Sequence, residues 1–83
     1  MTILLYPLAT EKAINMVERN NTIIYVVNME ASKTSIKKEF EDTFKVKVEN
    51  VNVMIDSRNS KRAYIKLAKQ FKASDIALKL KLV

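Results

Sequence analysis

Residues Thr22–Asn28 read TIIYVVN, a run that is β-branched, aromatic and apolar on both faces. A strand with one face in water alternates apolar and polar residues, whereas a run apolar on both faces belongs to a central, buried strand. The rest of this chain of 83 residues must supply that strand's neighbours and its cover. A chain of this length makes one domain, residues 1–83, and buries on the order of 60% of its unfolded surface. That leaves no room for a second domain or a large enclosed substrate pocket. Apolar residues make up 48% of the chain, enough for one core.

Around this strand the other elements can be read in order. Met1–Ala9 is predicted as an extended arm, with Pro7, the single proline, biasing Tyr6 away from helix. Thr10 is a good N-cap, and Glu11 favours the first turn through the helix dipole. Ala13, Ile14 and Val17 recur at helical spacing, and Asn20 and Asn21 end the helix because Asn tolerates the left-handed region. Ser32 caps a second helix over 33–44, in which Ile36, Phe40 and Phe44 form one apolar stripe. That stripe is read as core rather than as a base-stacking platform.

Residues 46–55 form a second strand whose apolar phase slips. Val46 and Val48 share one parity, Val51, Val53 and Ile55 the other, which predicts a bulge or bend near Glu49–Asn50. Asp56–Ser60 is a polar turn in which Asn59 can supply positive φ without glycine. Residues 61–67 form a third strand: Ala63, Ile65 and Leu67 face one way, and Arg62, Tyr64 and Lys66 the other, so one face packs on helices and one is available. Ser74 and Asp75 open a short terminal helix.

The expected fold is therefore α+β, a small split β-α-β (ferredoxin-like) sandwich. Its sheet is mainly antiparallel and three-stranded, with helices packed on it, in the order α-β-α-β-β-α. The third strand is placed between the first two.

Charge is uneven along the chain. Residues 1–57 carry 7 basic and 8 acidic side chains, and residues 58–83 carry 8 basic ones and only Asp75. One basic face is the usual footprint of a polyanion binder. The chain has no Gly, no His and no Cys. Without Gly, phosphate-cradling loops of the P-loop or Rossmann kind are excluded. Without His or Cys, the usual soft metal ligands and the usual neutral-pH general base are missing, and no disulfide can form. No cofactor, metal site or enzymatic activity is expected. The longest apolar run, Ile23–Val27, is too short to span a bilayer, and Met1–Tyr6 lacks the positive charge of a signal peptide.

The basic hairpin carries the functional signal. Arg58, Asn59, Ser60, Lys61 and Arg62 lie at the turn and on the strand leaving it. Arg and Lys there can neutralise phosphates, while Asn and Ser can reach phosphate oxygens or ribose hydroxyls. The competing reading is a charged loop that keeps the hairpin soluble. Lys66, Lys69 and Lys72 extend the basic surface. Lys33 and Lys37 stand one helical turn apart and can grip a backbone; alternatively Lys37 pairs with Glu41, and Lys38 with Asp42, each worth about 0.2–0.5 kcal/mol. Asn52, polar in an apolar strand, can bond RNA or cap an edge. Tyr25 and Tyr64 lie on strands, but the aromatic-rich octamer of the RNA recognition motif is absent.

Two stretches resemble the L twenty-three family of large-subunit ribosomal proteins. One is Pro7-Leu8-Ala9-Thr10-Glu11-Lys12-Ala13, with Asn21-Thr22 leading into the first strand. The other is Lys61-Arg62-Ala63-Tyr64-Ile65-Lys66-Leu67-Ala68, followed by Ile76; Val51-Asn52-Val53 fits the family's second strand. The resemblance implies a structural protein of the cytoplasmic ribosome, bound to the third domain of large-subunit rRNA, beside ribosomal protein L twenty-nine at the exit-tunnel rim. It also implies that Glu11 is an exposed docking point for the signal recognition particle or other nascent-chain factors. Only residues 57–60 join the last two strands, where bacterial members carry a long Gly- and Arg-rich extension; in this the chain resembles archaeal members. The alternative reading is a basic protein–protein interaction module outside the ribosome.

Overall fold

The computed structural model describes residues 3–56 and 60–80. Seven elements follow in the order β1 (Leu4–Pro7), α1 (Glu11–Asn20), β2 (Thr22–Val27), α2 (Lys33–Phe44), β3 (Val48–Ile55), β4 (Lys61–Leu67) and α3 (Ala73–Lys79). One antiparallel sheet has the strand order β1-β2-β4-β3. The α+β class is as expected, and β4 does lie between β2 and β3. The strand count is a correction: there are four strands, not three, and the order gains a strand at its start.

The extra strand is part of the segment read as an arm. Its sequence gives little signal because only Leu4 of its four residues is buried. What holds it is remote. The Glu39 carboxylate on α2 accepts from the Ile3 and Leu4 backbone N–H groups at 3.1 and 3.0 Å. On the other side, Asn28 N–H donates to the Ile3 carbonyl and Leu8 N–H to the Ile24 carbonyl. Pro7 is tolerated here because β1 is an edge strand.

β2 is buried along its whole length, as its two apolar faces require. Ile23, Tyr25 and Val27 join Ala63, Ile65 and Leu67 of β4 and Ile36 and Phe40 of α2 in the main core. Phe40 is fully buried, and its ring meets Tyr25 edge-on at 6.3 Å. Ile24 and Val26, on the opposite face, are also buried. α1 packs on β2 and α2 against β3 and β1. The bulge expected near Glu49–Asn50 is present: Val48 pairs with Leu67, and Asn50 with Lys66, so Glu49 is the extra residue. That skip lets both Val48 and Val51 face the core.

The helix ends show how a chain without glycine manages its turns. Thr10 accepts from Ala13 N–H, and Ser32 from Ser35 N–H, as N-caps. Asn21 closes α1 at φ 52°, and Lys45 closes α2 at φ 57°. α3 starts one residue before Ser74. Its N-cap residue, Lys72, offers no side-chain bond. The Asn21 side chain fills that role: its Oδ1 accepts from Ala73 N–H at 2.6 Å, while its Nδ2 donates to the Phe71 carbonyl at 2.8 Å and the Leu67 carbonyl at 3.4 Å.

The two positive-φ residues predict opposite responses. Lys45→Gly removes the Cβ penalty of the left-handed region and should stabilise the fold by about 1 kcal/mol. Asn21→Gly keeps the backbone angle but orphans the groups its side chain bonds, and should cost about 1–3 kcal/mol. Chemical denaturation of both variants checks the contrast; a loss at Lys45→Gly or no change at Asn21→Gly would contradict it.

A pH dependence follows from Tyr25. Burial, with the Glu39 carboxylate adding to it, raises its phenol above the ordinary value of 10.0. Below that value the phenol is neutral in folded and unfolded chains alike and its stabilising contribution is fully present. As pH rises beyond it, the unfolded chain gives up the proton first, so stability is lost. Stability of Tyr25→Phe should therefore fall less steeply than wild type above about pH 10; equal slopes in denaturation midpoints would refute the assignment.

Candidate nucleic-acid interface

The pairing of β4 sorts its side chains onto two faces. Lys61, Ala63, Ile65 and Leu67 lie on the α2 side; Arg62, Tyr64 and Lys66 lie on the other. Because directly paired residues share a face, Asn50 stands beside Lys66, Asn52 beside Tyr64, and Met54 beside Arg62. On this second face Thr22, Ile24 and Val26 of β2 are buried, while Asn50, Asn52, Met54 and Lys66 are exposed. α1 explains the difference. Its residues Lys12, Met16 and Asn20, spaced at i, i+4 and i+8, line one groove together with Thr22, Asn50, Asn52, Tyr64 and Lys66. The helix thus covers the β2 half of the face and leaves a trough of about 640 Å³ over β4 and β3. The available face of β4 is therefore narrower than its alternation suggests.

Cations, amides, a phenol, two thioethers, the Thr22 hydroxyl and Val53 line the trough, with no carboxylate among the described residues. Arg62 stands at its end. Its guanidinium Nη2 pairs with Asp56 Oδ2 at 3.2 Å, yet its Nε is buried with no acceptor among the described residues. A buried donor left open is uncommon, and an incoming phosphate oxygen is one group that would satisfy it. Asp56 also closes the hairpin base: its N–H donates to the Ser60 carbonyl, and its Oδ1 accepts from Ser60 N–H.

Of the residues singled out from the sequence, Asn52, Arg62 and Lys66 come together on this face. Ser60 sits half-buried at the hairpin base. Arg58 and Asn59 lie outside the described residues. Lys61 is on the other side of the sheet, where its Nζ donates to the Ala31 carbonyl at 2.5 Å, just before α2. Lys33 and Lys37 are exposed on α2. Glu41, the alternative partner of Lys37, instead accepts from Val48 N–H at 2.9 Å. Glu11 is exposed in the first turn of α1, next to Lys12 of the trough. Phe40 and Phe44 meet as tilted rings 4.6 Å apart, Phe40 in the core and Phe44 packed against it, as their spacing indicates.

Sequence reasoning missed Lys12, Asn20 and Asn50. Their periodicities are present, every fourth residue on α1 and every second on β3. Which turn of α1 meets which strand is a tertiary fact.

A sequence model of the family described as Ribosomal protein L23 matches residues 2–80. The chain belongs to that family. A large ribosomal subunit protein uL23, from the archaeon Methanothermobacter thermautotrophicus, is 44% identical to it over 78 residues, covering 94% of this chain and 91% of that protein. The chain is accordingly a structural, non-enzymatic protein of the large subunit of the cytoplasmic ribosome. No helix among the described residues is long and apolar enough to cross a membrane.

Lys61 gives a test that separates structure from binding. Replacing it with Met keeps the aliphatic stem and removes the amine that satisfies the Ala31 carbonyl. Lys61→Met should lower stability by about 1 kcal/mol, since the bond is charge-assisted but half-exposed. An unchanged denaturation midpoint would show that the amine is free for other work.

Proposed function

We propose that this chain binds the third domain of large-subunit rRNA beside the polypeptide exit, with the second face of the sheet as its principal RNA surface. The observation that carries the reading is the trough itself: Lys12, Lys66, Asn20, Asn50 and Asn52 with Tyr64, free of carboxylates and flanked by the unfilled Nε donor of Arg62. Cations bind phosphates whatever the sequence, and amides and hydroxyls fix register on sugars and base edges. Lys33 and Lys37 offer a second contact from α2, and Arg58, Asn59 and Ser60, in the stretch between β3 and β4, a third.

Membership in the family supports the same placement and extends it to neighbours. Ribosomal protein L twenty-nine is the proposed partner on the rim. The exposed apolar side chains Leu5, Tyr6 and Met29 at one end, and Met54 and Ile55 at the β3 edge, are suited to burial against protein or RNA. Glu11 is the proposed docking point for the signal recognition particle or another exit-site factor; its exposure is compatible with that role.

Binding to large-subunit rRNA fragments across a salt series tests this. Wild type should bind one fragment saturably and lose affinity steeply with salt. Arg62→Glu with Lys66→Glu should weaken that binding and reduce the slope of log K against log salt by roughly 1–2. Weak binding, equal for all fragments and unchanged in the double variant, would overturn the assignment and favour an acidic protein partner.

A further inference from the structure

A duplex can be held by cations on a flat or convex surface, since it offers mainly phosphates and ribose hydroxyls. The surface over β3 and β4 is concave. Its volume, about 640 Å³, lies in the range that encloses a small ligand rather than a helix. The polar groups inside are of a specific kind. Asn50 and Asn52 are exposed amides held on a paired strand, each able to donate and accept along a base edge. Tyr64 is fixed on a central strand and lines the same trough. Met16 and Met54 supply walls of adaptable shape. Lys12 on α1 and Lys66 on β4 are the cations of the lining.

This inventory fits a base and its two phosphates. An unpaired base stacks on an aromatic ring and exposes its pairing edge to amides, while the chain on either side needs cations. An acidic peptide would use the lysines but leave the ring and three amides without a role. A basic peptide would find no carboxylate. Resting on the rRNA-binding reading above, we infer that the trough seats one unpaired ribonucleotide turned out of the rRNA. Its base lies on Tyr64, its edge is read by Asn50 and Asn52, and its phosphates are flanked by Lys12 and Lys66.

The test uses the full chain and two probes of equal length, a single-stranded RNA and a blunt RNA duplex, with dissociation constants from fluorescence anisotropy at fixed salt. Wild type should prefer the single strand by at least about 10-fold. Tyr64→Leu should weaken single-strand binding by about 10-fold, the usual scale of one base–aromatic stack. Asn52→Asp, at an exposed position where the fold is not at stake, should weaken it comparably. Thermal midpoints of each variant accompany the binding data. Equal wild-type binding of the two probes, or single-strand affinity unchanged in folded Tyr64→Leu or in Asn52→Asp, would overturn the inference. Fragment-selective, salt-steep rRNA binding that survives in those variants leaves the rRNA reading standing while the nucleotide seat falls. No selective binding of any RNA removes both.

Discussion

The register of β4 is the constraint on which the rest of the molecule depends. It is paired on both edges, residue against residue, with Thr22–Val27 on one side and Val48–Ile55 on the other. A shift of one residue would turn Arg62, Tyr64 and Lys66 into the core and put Ala63, Ile65 and Leu67 in water. Three buried apolar side chains oppose that slip, at about 1.5–3 kcal/mol for each of the larger ones. The same lock that builds the core aims the second face of the sheet. Glu49 is the adjustment that makes it compatible with β3. By taking up one residue, it keeps Val48 and Val51 inward and leaves Asn50 and Asn52 outward, beside Lys66 and Tyr64.

Asn21 is a second point where several elements depend on one side chain. It ends α1 in a conformation that most residues avoid, and its amide then bonds the end of β4, the turn after it and the first N–H of α3. Its own carbonyl accepts from Leu67 N–H. One orphan donor of a short helix is thus satisfied from about fifty residues away in sequence. The position of α1 over the second face, and with it the trough, is coupled through this residue to the docking of α3.

These two cases mark what the sequence can and cannot disclose. The bounds of α2 and β4, the caps Thr10 and Ser32, and the bulge at Glu49 are legible because each rests on a local pattern: a period, a capping side chain, a break in phase. β1 is hidden because its evidence is Glu39, on another element. The start of α3 is displaced because its cap is Asn21, not a neighbour. The candidate site divides in the same way. Alternation alone separates Lys61 from Arg62, and places Arg62 with Lys66. It cannot show that the Lys61 amine is engaged by Ala31, or that α1 brings Lys12 and Asn20 to the strand residues.

The distribution of charge then bears on how such a protein would be held. Its cations are not one patch. Lys33, Lys37 and Lys61 belong to the α2 side, whereas Lys12, Arg62 and Lys66 border the opposite face. A single flat contact would engage one set and leave the other in solvent. Two RNA segments, one on each side of the sheet, would engage both, and each contact would be weak and salt-sensitive alone. Rigidity converts such a pair into a defined position, because a sheet fixed by its register, with helices packed on parts of both faces, holds the two sets at a fixed separation. At Asn21 a reversal made without glycine also bonds what it turns between, so there the ends of the elements are tied as well as their middles.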